Sequence, residues 1–403
     1  MALRSTWAFV LVAAISALVY PRIPILWSFY SNQPDRLIQI NNIGPSYKVK
    51  FADKLRSCED IILIESRGVA IVACDAGRER WNTVMGIFSP GPVPGAEIYV
   101  YDYEQADDDE ALTRLQIVDY APGEDLHTLG LALDEATSSL FIANHRHDGS
   151  RVEVFHLDFE SHTLRHTHSI QHPLIRGPNS ILLVNSREFY VSNDHHFLAK
   201  EHLLLSKMET YLGFPIGTLV HVDMSPMLED PTAAVDAEVV ARLPFPNGIE
   251  LVNETTLAVA SSNSASLRLY DVTPPPADSA RRHPTLRSSS SIRLPFMPDN
   301  LSKSSDGAII IAGHPHAPSL STFAATRHIC NSPEERAKAE PSLQEFCDKG
   351  KAGSWVSQWK QAGVEHLYVG TDYPTSCTAI RDLGRNTGII SGLYARGLLV
   401  WRN

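Results

Sequence analysis

With 403 residues, 43% of them apolar, the chain can bury a large core and is too apolar for global disorder. A formal charge of −11 argues against nucleic acid or an anionic membrane as a main partner, because both demand a basic face. It favours retention of a divalent cation. The five cysteines form no CxxC pair and no His/Cys spacing suited to zinc.

At the start of the chain, Arg4 precedes the apolar run Trp7 to Tyr20, which reads as a secretory signal or an uncleaved signal-anchor. No small-x-small cleavage site follows. The run is short for a membrane span, and Pro21, Arg22 and Pro24 interrupt its extension. Residues 1–35 are therefore set apart, and 36–403 read as one unit without a separating linker. The expectation is a protein of the secretory pathway, secreted or anchored facing the lumen or exterior, with membrane attachment through residues 5–27. In that compartment one or two disulfides form. Cys330 and Cys347, which flank a charged helix-like segment, are the favoured pair; Cys58 and Cys74 could also face each other across one hairpin.

Six short apolar hairpins then follow, starting near Cys58, Leu126, Gly177, Phe245, Met297 and Ser376. Each reads strand, turn, strand. Their polar openings are Glu59, His127, Asn179, Asn247 and Asn300, then Ser376 or Thr378. Further short strands such as AEIYVYDYE and SRVEVFHLDF lie between them. Many short strands without regular intervening helices argue for an all-β fold, and sixfold repetition selects a six-bladed β-propeller with a few accessory helices. Three segments interrupt the pattern. The stretch 198–214 is helical, with Leu203, Leu204, Leu205 and Leu212 on an apolar side; packing on the propeller face is the commoner outcome, a lid or membrane-touching helix the other. Residues 274–291 read as a mobile Pro/Ser/Arg-rich loop, and 325–360 as a partly helical insert at the fifth blade. The sequon at Asn253 falls in a turn open to glycosylation; the one at Asn300 falls at the axis, where burial would block it.

If the six hairpins are inner strands, their openings converge on one axis. Carboxylates and carboxamides converging on one point suit a hard cation such as Ca²⁺. The ordered motifs Cys-Glu-Asp (58–60), Leu-His-Thr-Leu (126–129), Ala-Asn-His (143–145), Pro-Asn-Ser-Ile (178–181), Ser-Asn-Asp-His-His-Phe (192–197), Met-Glu-Thr-Tyr-Leu-Gly (208–213), Pro-Asn-Gly-Ile (246–249), Pro-Asp-Asn (298–300) and Gly-His-Pro (313–315) together resemble the serum paraoxonase/arylesterase family.

That resemblance implies a calcium-dependent hydrolase of small-molecule lactones and aryl esters. It implies a catalytic Ca²⁺ on Glu59, Asn179, Asn247, Asp299 and Asn300, and a His127–His145 dyad in which His127 activates water and His145 orients it. It implies a second Ca²⁺ on Asp60, the carbonyl of Leu129 and the residue at 180. That residue is Ser180 here rather than Asp, so the second site is expected to be weak or empty. Asp194, His195, His196 and His314 match positions that shape the site. The chain ends GLLVWRN with no terminal cysteine, so ring closure is expected to rest on pairing between the N-terminal segment and the last blade. Two other readings compete: a gluconolactonase- or strictosidine-synthase-like propeller enzyme, which lacks Asp299-Asn300 paired with Glu59-Asp60, and a non-catalytic propeller scaffold, which predicts lost axial ligands.

Overall fold

The structure is a computed structural model that describes residues 19–402 apart from 45, 122–124 and 277–281, together with 13 and 16. Each apolar hairpin forms the two innermost strands of one antiparallel sheet. Blade 1 begins with Cys58–Ile64 and Val69–Cys74, blade 2 with Thr128–Asp134 and Ser139–Arg146, and blade 3 with Pro178–Leu183 and Glu188–Asn193. Blade 4 begins with Pro246–Asn253 and Thr256–Ser261, blade 5 with Met297–Lys303 and Ile309–His314, and blade 6 with Ser376–Asp382 and Thr387–Gly392. Two further strands complete blades 1, 3, 4 and 6; three complete blades 2 and 5, the fifth strand of blade 2 pairing parallel. The first strands adjoin one another in chain order, and that of blade 6 adjoins that of blade 1, which closes a six-bladed propeller.

The N-terminal segment locks the ring. Tyr47–Lys50 pairs antiparallel with Leu398–Arg402 as the outermost strand of blade 6, and Ile40–Asn41 pairs with Gly363–Gly370 at the edge of blade 5. Strand pairing therefore joins the start of the ring to its end.

The core is six slabs, one between each pair of neighbouring blades, because every sheet presents an apolar face to both sides. Ile71, Ala73, Leu140 and Ile142 pack between blades 1 and 2, and Ile310, Ala312, Ile390 and Leu399 between blades 5 and 6. The second strand of each blade is buried on both faces, which is why VAIVAC, FYVSN and IIIAGH read as near-continuous apolar runs. Each such Ile, Leu or Phe stabilises the fold by about 1.5–3 kcal/mol.

Two of the interruptions differ from the sequence reading. The Pro/Ser/Arg-rich stretch read as a loop ends in a strand: Thr285–Arg293 is the outermost strand of blade 4, paired with Ser266–Thr273, while residues 277–281 lie outside the described residues. An outermost strand needs one set of backbone partners and no apolar face, so a serine run suffices there. The insert is three helices, Ala317–Cys330, Pro333–Lys338 and Pro341–Lys349, between the second and third strands of blade 5; Ser354–Lys360 is already that third strand. Both disulfides form, Cys330–Cys347 across these helices and Cys58–Cys74 across the first hairpin, leaving Cys377 as a buried free thiol.

Candidate functional site around the propeller axis

Every inner hairpin carries a bulge at its opening. The register shifts lie between Cys58 and Asp60, Thr128 and Leu131, Pro178 and Ile181, Pro246 and Ile249, Pro298 and Leu301, and Ser376 and Thr378. Each adds one residue to the inner strand and turns side chains out of the pleat. The residues lifted in this way are Glu59, Leu129 with Gly130, Asn179 with Ser180, Asn247 with Gly248, Asp299 with Asn300, and Cys377. All five expected ligands of the catalytic calcium are thus bulge residues. Close approach of neighbouring bulges explains the glycines: a Cβ on Gly248 would lie 2.5 Å from the Leu301 nitrogen, and one on Gly130 2.4 Å from the Asn179 carbonyl oxygen.

Glu59, Asn179, Asn247 and Asp299 line one axial cavity of about 360 Å³. Asn300 lies just beneath and reaches Glu59 Oε1 with its amide, at 3.0 Å. The amide of Asn247 donates to Asp299 Oδ1 at 2.5 Å, and that of Asn179 to Asp194 Oδ2 at 3.1 Å. These bonds consume the nitrogens and leave oxygens free. Glu59 Oε2, Asn179 Oδ1, Asn247 Oδ1 and Asn300 Oδ1 are all buried without a hydrogen-bond partner. Buried oxygens are ordinarily satisfied, and four orphans at one spot form a donor set of the kind a hard cation takes. Burial, reinforced by the charges of Asp60 and Asp299, holds the Glu59 carboxyl well above the usual carboxylate range.

The expected second-site residues behave differently. Asp60 and Ser180 line a separate cavity of about 300 Å³, whereas Leu129 belongs to the first. Asp60 Oδ1 accepts from Ile61 N at 2.8 Å and Thr378 Oγ1 at 2.9 Å, and Oδ2 accepts from Leu131 N at 2.8 Å. Burial pushes the Asp60 carboxyl up to about 6, with these hydrogen bonds working against it. Both oxygens already have partners, and the other carboxyl lining this cavity is Glu250, which burial pushes up to about 7. As arranged, the Asp60 carboxyl is a hydrogen-bond hub for the backbone around it.

The rings of His127 and His145 lie behind the cavity wall. His127 Nδ1 faces Asp75 at 3.2 Å. His145 Nε2 faces the Pro178 carbonyl at 2.7 Å and its Nδ1 meets Thr83 Oγ1. The two are linked only through the backbone, His145 N donating to His127 O at 2.9 Å. In blade 2 the position equivalent to Asn179 is Leu129, two residues beyond the His127 that seemed to open the hairpin. The histidine on the cavity wall is His314, whose Nε2 lies 2.8 Å from Asp299 Oδ2 and whose Nδ1 is buried without a partner. His195 bridges Asp194 and Thr210 at 2.8 and 2.6 Å, tying Asn179 to the helix Ala199–Leu212; His196 N donates to Glu209 at 2.9 Å.

Arg78 escaped the sequence reading. It is 3% exposed, lines the axial cavity and donates to the Thr128 carbonyl. Its only signal was a cation in DAGRERW immediately after a buried strand. The cavity mouth is apolar. Val84, Met85 and Ile87 come from a small hairpin, Trp81–Asn82 and Ile87–Phe88, and Leu203 from the helix Ala199–Leu212. That helix ends at Gly213, in a left-handed conformation (φ 67°), where Arg22 donates to the carbonyls of Tyr211 and Asn263. Arg22 directly precedes the helix Ile23–Ser31. Ile23, Leu26, Trp27 and Tyr30 of that helix, and Leu203, Leu204, Leu205, Met208, Tyr211 and Leu212 of the other, remain exposed. The expected N-terminal apolar run lies almost wholly outside the described residues, and among the described residues no helix is long and apolar enough to cross a membrane.

This blade count, these bulges and this ordered donor set define a propeller of the arylesterase type. The arylesterase family model matches residues 83–335, well over half of the chain, and the chain belongs to that family. Among curated relatives it is similar to serum paraoxonase/arylesterase 2 of Canis lupus familiaris, 26% identical over 198 residues covering 48% of this chain and 50% of that one. The Bos taurus protein of the same name is 25% identical over 201 residues, 49% and 51% of the two chains, and that of Gallus gallus 32% identical over 96 residues, 24% and 26%. The match thus spans about half the length of these relatives or less. Among solved structures, the periplasmic gluconolactonase of Pseudomonas aeruginosa aligns over 88% of both chains at 12% identity and a TM-score of 0.44.

Proposed function

We propose that the axial cavity is the active site of a calcium-dependent hydrolase acting on small lactones and aryl esters. The observation that supports this most is the set of four buried, partnerless oxygens on Glu59, Asn179, Asn247 and Asn300 beside Asp299. These five residues would hold one Ca²⁺, and their two formal charges leave part of its charge uncompensated. Bound calcium supplies the positive charge that polarises an ester carbonyl and stabilises the oxygen anion formed on attack. The chain's own groups do the rest. Val84, Met85, Ile87, Leu203, Leu320 and Leu393 give the acyl or ring portion of the substrate an apolar wall that excludes bulk water. His314, held through Nε2 by Asp299 and free at Nδ1, accepts the proton of the attacking water. The other assignment of this role, His127 oriented by His145, requires the His127 ring to reach the cavity.

The experiment is calcium analysis of the purified protein, with lactone and aryl ester turnover measured before chelation, after it, and after calcium is restored. Loss and recovery are expected; full turnover in excess chelator would end the calcium reading. A drop in turnover in His314→Gln larger than in His127→Gln is expected, and the reverse order would return the base role to His127.

The two disulfides support an oxidising compartment, hence secretion or a lumenal location. The two apolar helix faces brought together by Arg22 support attachment to a lipid surface. The exposed turn at Asn253 supports glycosylation there.

A further inference from the structure

Blade 2 holds a second cluster of ligand-type side chains, on the far side of the cavity wall. Asp125 and His127 precede the first strand of the blade, and His147 sits in the turn after the second. Asp125 Oδ2 lies 3.6 Å from His127 Nε2 and 2.5 Å from His147 Nδ1. The three ligand atoms all fall within 4.8 Å of one another.

His127 is the informative member. It is 2% exposed, and its Nε2 has no hydrogen-bond partner. Its Nδ1 faces the buried carboxylate of Asp75; with the proton on that nitrogen, Nε2 keeps a lone pair. Nε2 looks across 3.6 Å at a carboxylate oxygen. In a buried setting a proton or a metal ion has to stand between such a lone pair and an anion. An imidazole held by a carboxylate on one nitrogen and free on the other is the arrangement by which proteins orient a metal-ligating histidine.

We infer that Asp125, His127 and His147 form a binding site for a divalent ion of the zinc class, separate from the axial cation site. Two imidazoles and one carboxylate select zinc or cobalt over calcium and magnesium, which take oxygen. Ligand atoms around a tetrahedral zinc stand about 3.3 Å apart; the His127–Asp125 pair at 3.6 Å is near this, and the His147–Asp125 hydrogen bond at 2.5 Å has to open for an ion to enter. Two cationic side chains border the cluster. Arg146 Nε lies 3.6 Å from Asp125 Oδ1, on the other carboxylate oxygen, and its close partner is Asp148 at 2.9 Å. Lys200 donates to the His147 carbonyl. The His147 side chain is 47% exposed, which gives the ion an entry path.

Occupancy reaches the active site through Trp81. Its ring stacks on that of His147 at 3.8 Å between centroids, and its Nε1 donates to the His145 carbonyl at 2.7 Å. Trp81 begins the small hairpin whose Val84, Met85 and Ile87 line the axial cavity. An ion on His147 fixes the ring on which this cover rests.

The test uses the full chain kept in saturating calcium and dialysed against Zn²⁺ or Co²⁺. Readouts are metal stoichiometry, the visible absorption of bound Co²⁺, and tryptophan emission. One zinc-class ion per chain is expected, with a Co²⁺ spectrum of mixed nitrogen and oxygen ligation. His147→Gln and Asp125→Asn should each lose the ion on dialysis, and Asp75→Asn should weaken it by about 10–100-fold. Asp299→Ala, which removes an axial ligand, should keep it. Three results would overturn the inference: no stoichiometric ion in the wild type, binding unchanged in both His147→Gln and Asp125→Asn, or an ion lost in Asp299→Ala. His147 is exposed and its variant is expected to fold, so that variant alone decides if the Asp75 variant does not.

Discussion

The two ends of the propeller axis are built from consecutive residues of the same bulges, and they have opposite chemistry. Glu59 and Asn179 face the upper cavity with unpartnered oxygens; Asp60 and Ser180, one residue on, face the lower one with their oxygens bonded to protein N–H and O–H groups. A bulge sends neighbouring side chains to opposite sides, so one repeated device furnishes both ends. What separates them is the supply of donors. Around Asp60, Leu131 N, Ile61 N and Thr378 Oγ1 all donate. At the Glu59 carboxylate, Asn300 donates to Oε1 and Oε2 is left without a partner. An oxygen left without donors suits a cation, and one met by donors serves as a structural hub.

The sharpest way to break this comparison is to remove a carboxylate from each end. Asp299→Ala should lower ester turnover by on the order of 10²–10³-fold, the scale of a lost transition-state electrostatic contact. Its β-sheet circular dichroism should be retained. Asp60→Asn should do the reverse. The new amide confronts backbone N–H groups with a donor, costing about 1–3 kcal/mol of stability, while the folded fraction keeps most of its turnover. Equal loss of turnover in both variants would erase the distinction between the two ends.

A smaller effect is expected from Ser180→Asp, which places a second carboxylate beside Asp60. In chelator its midpoint of thermal unfolding should fall below that of the wild type, because two buried like charges repel. Calcium should then raise the variant's midpoint by more than it raises the wild type's. An equal rise in both would take the lower cavity out of any cation role.

Much of this architecture was legible in the chain. The openings Pro-Asn-Ser, Pro-Asn-Gly and Pro-Asp-Asn carry a donor residue after proline, and the structure puts each at a bulge. The apolar second strands announced burial on both faces. Blade 2 was misread because its bulge residue is Leu129, which is silent as a polar signal, while His127 two residues earlier is conspicuous. Arg78 and Asp75 stayed hidden because they follow the second strand of blade 1 and come near Glu59 and His127 only when that blade folds and packs on blade 2. The serine strand Thr285–Arg293 lacks an apolar face, so no periodicity could reveal it. The folding of blade 3 joins Asn179, Asp194, His195 and Thr210 into a chain from the proposed metal site to the helix over the cavity, and local pattern contains none of it.

The smallest expected effect concerns a buried ionisable group far from either cavity, and it calibrates the axis as special. His221, in the third strand of blade 3, is 2% exposed and meets His283 Nδ1 to Nδ1 at 2.9 Å, with His283 Nε2 3.3 Å from Asp236. Burial, and then the neighbouring His283, push His221 down to about 4, against the opposing charges of Asp223 and Asp236. The folded protein therefore keeps this ring neutral at a pH where the unfolded chain protonates it. Between about 6.5, the ordinary histidine value, and about 4, unfolding takes up a proton. The contribution of His221 is fully present above about 6.5 and is lost as pH falls toward 4. His221→Asn should flatten that limb of the curve of unfolding midpoint against pH while leaving the calcium dependence unchanged. A variant curve that still falls as steeply over this range would move the acid sensitivity to other groups, and the carboxylates of the axis would be the next to replace.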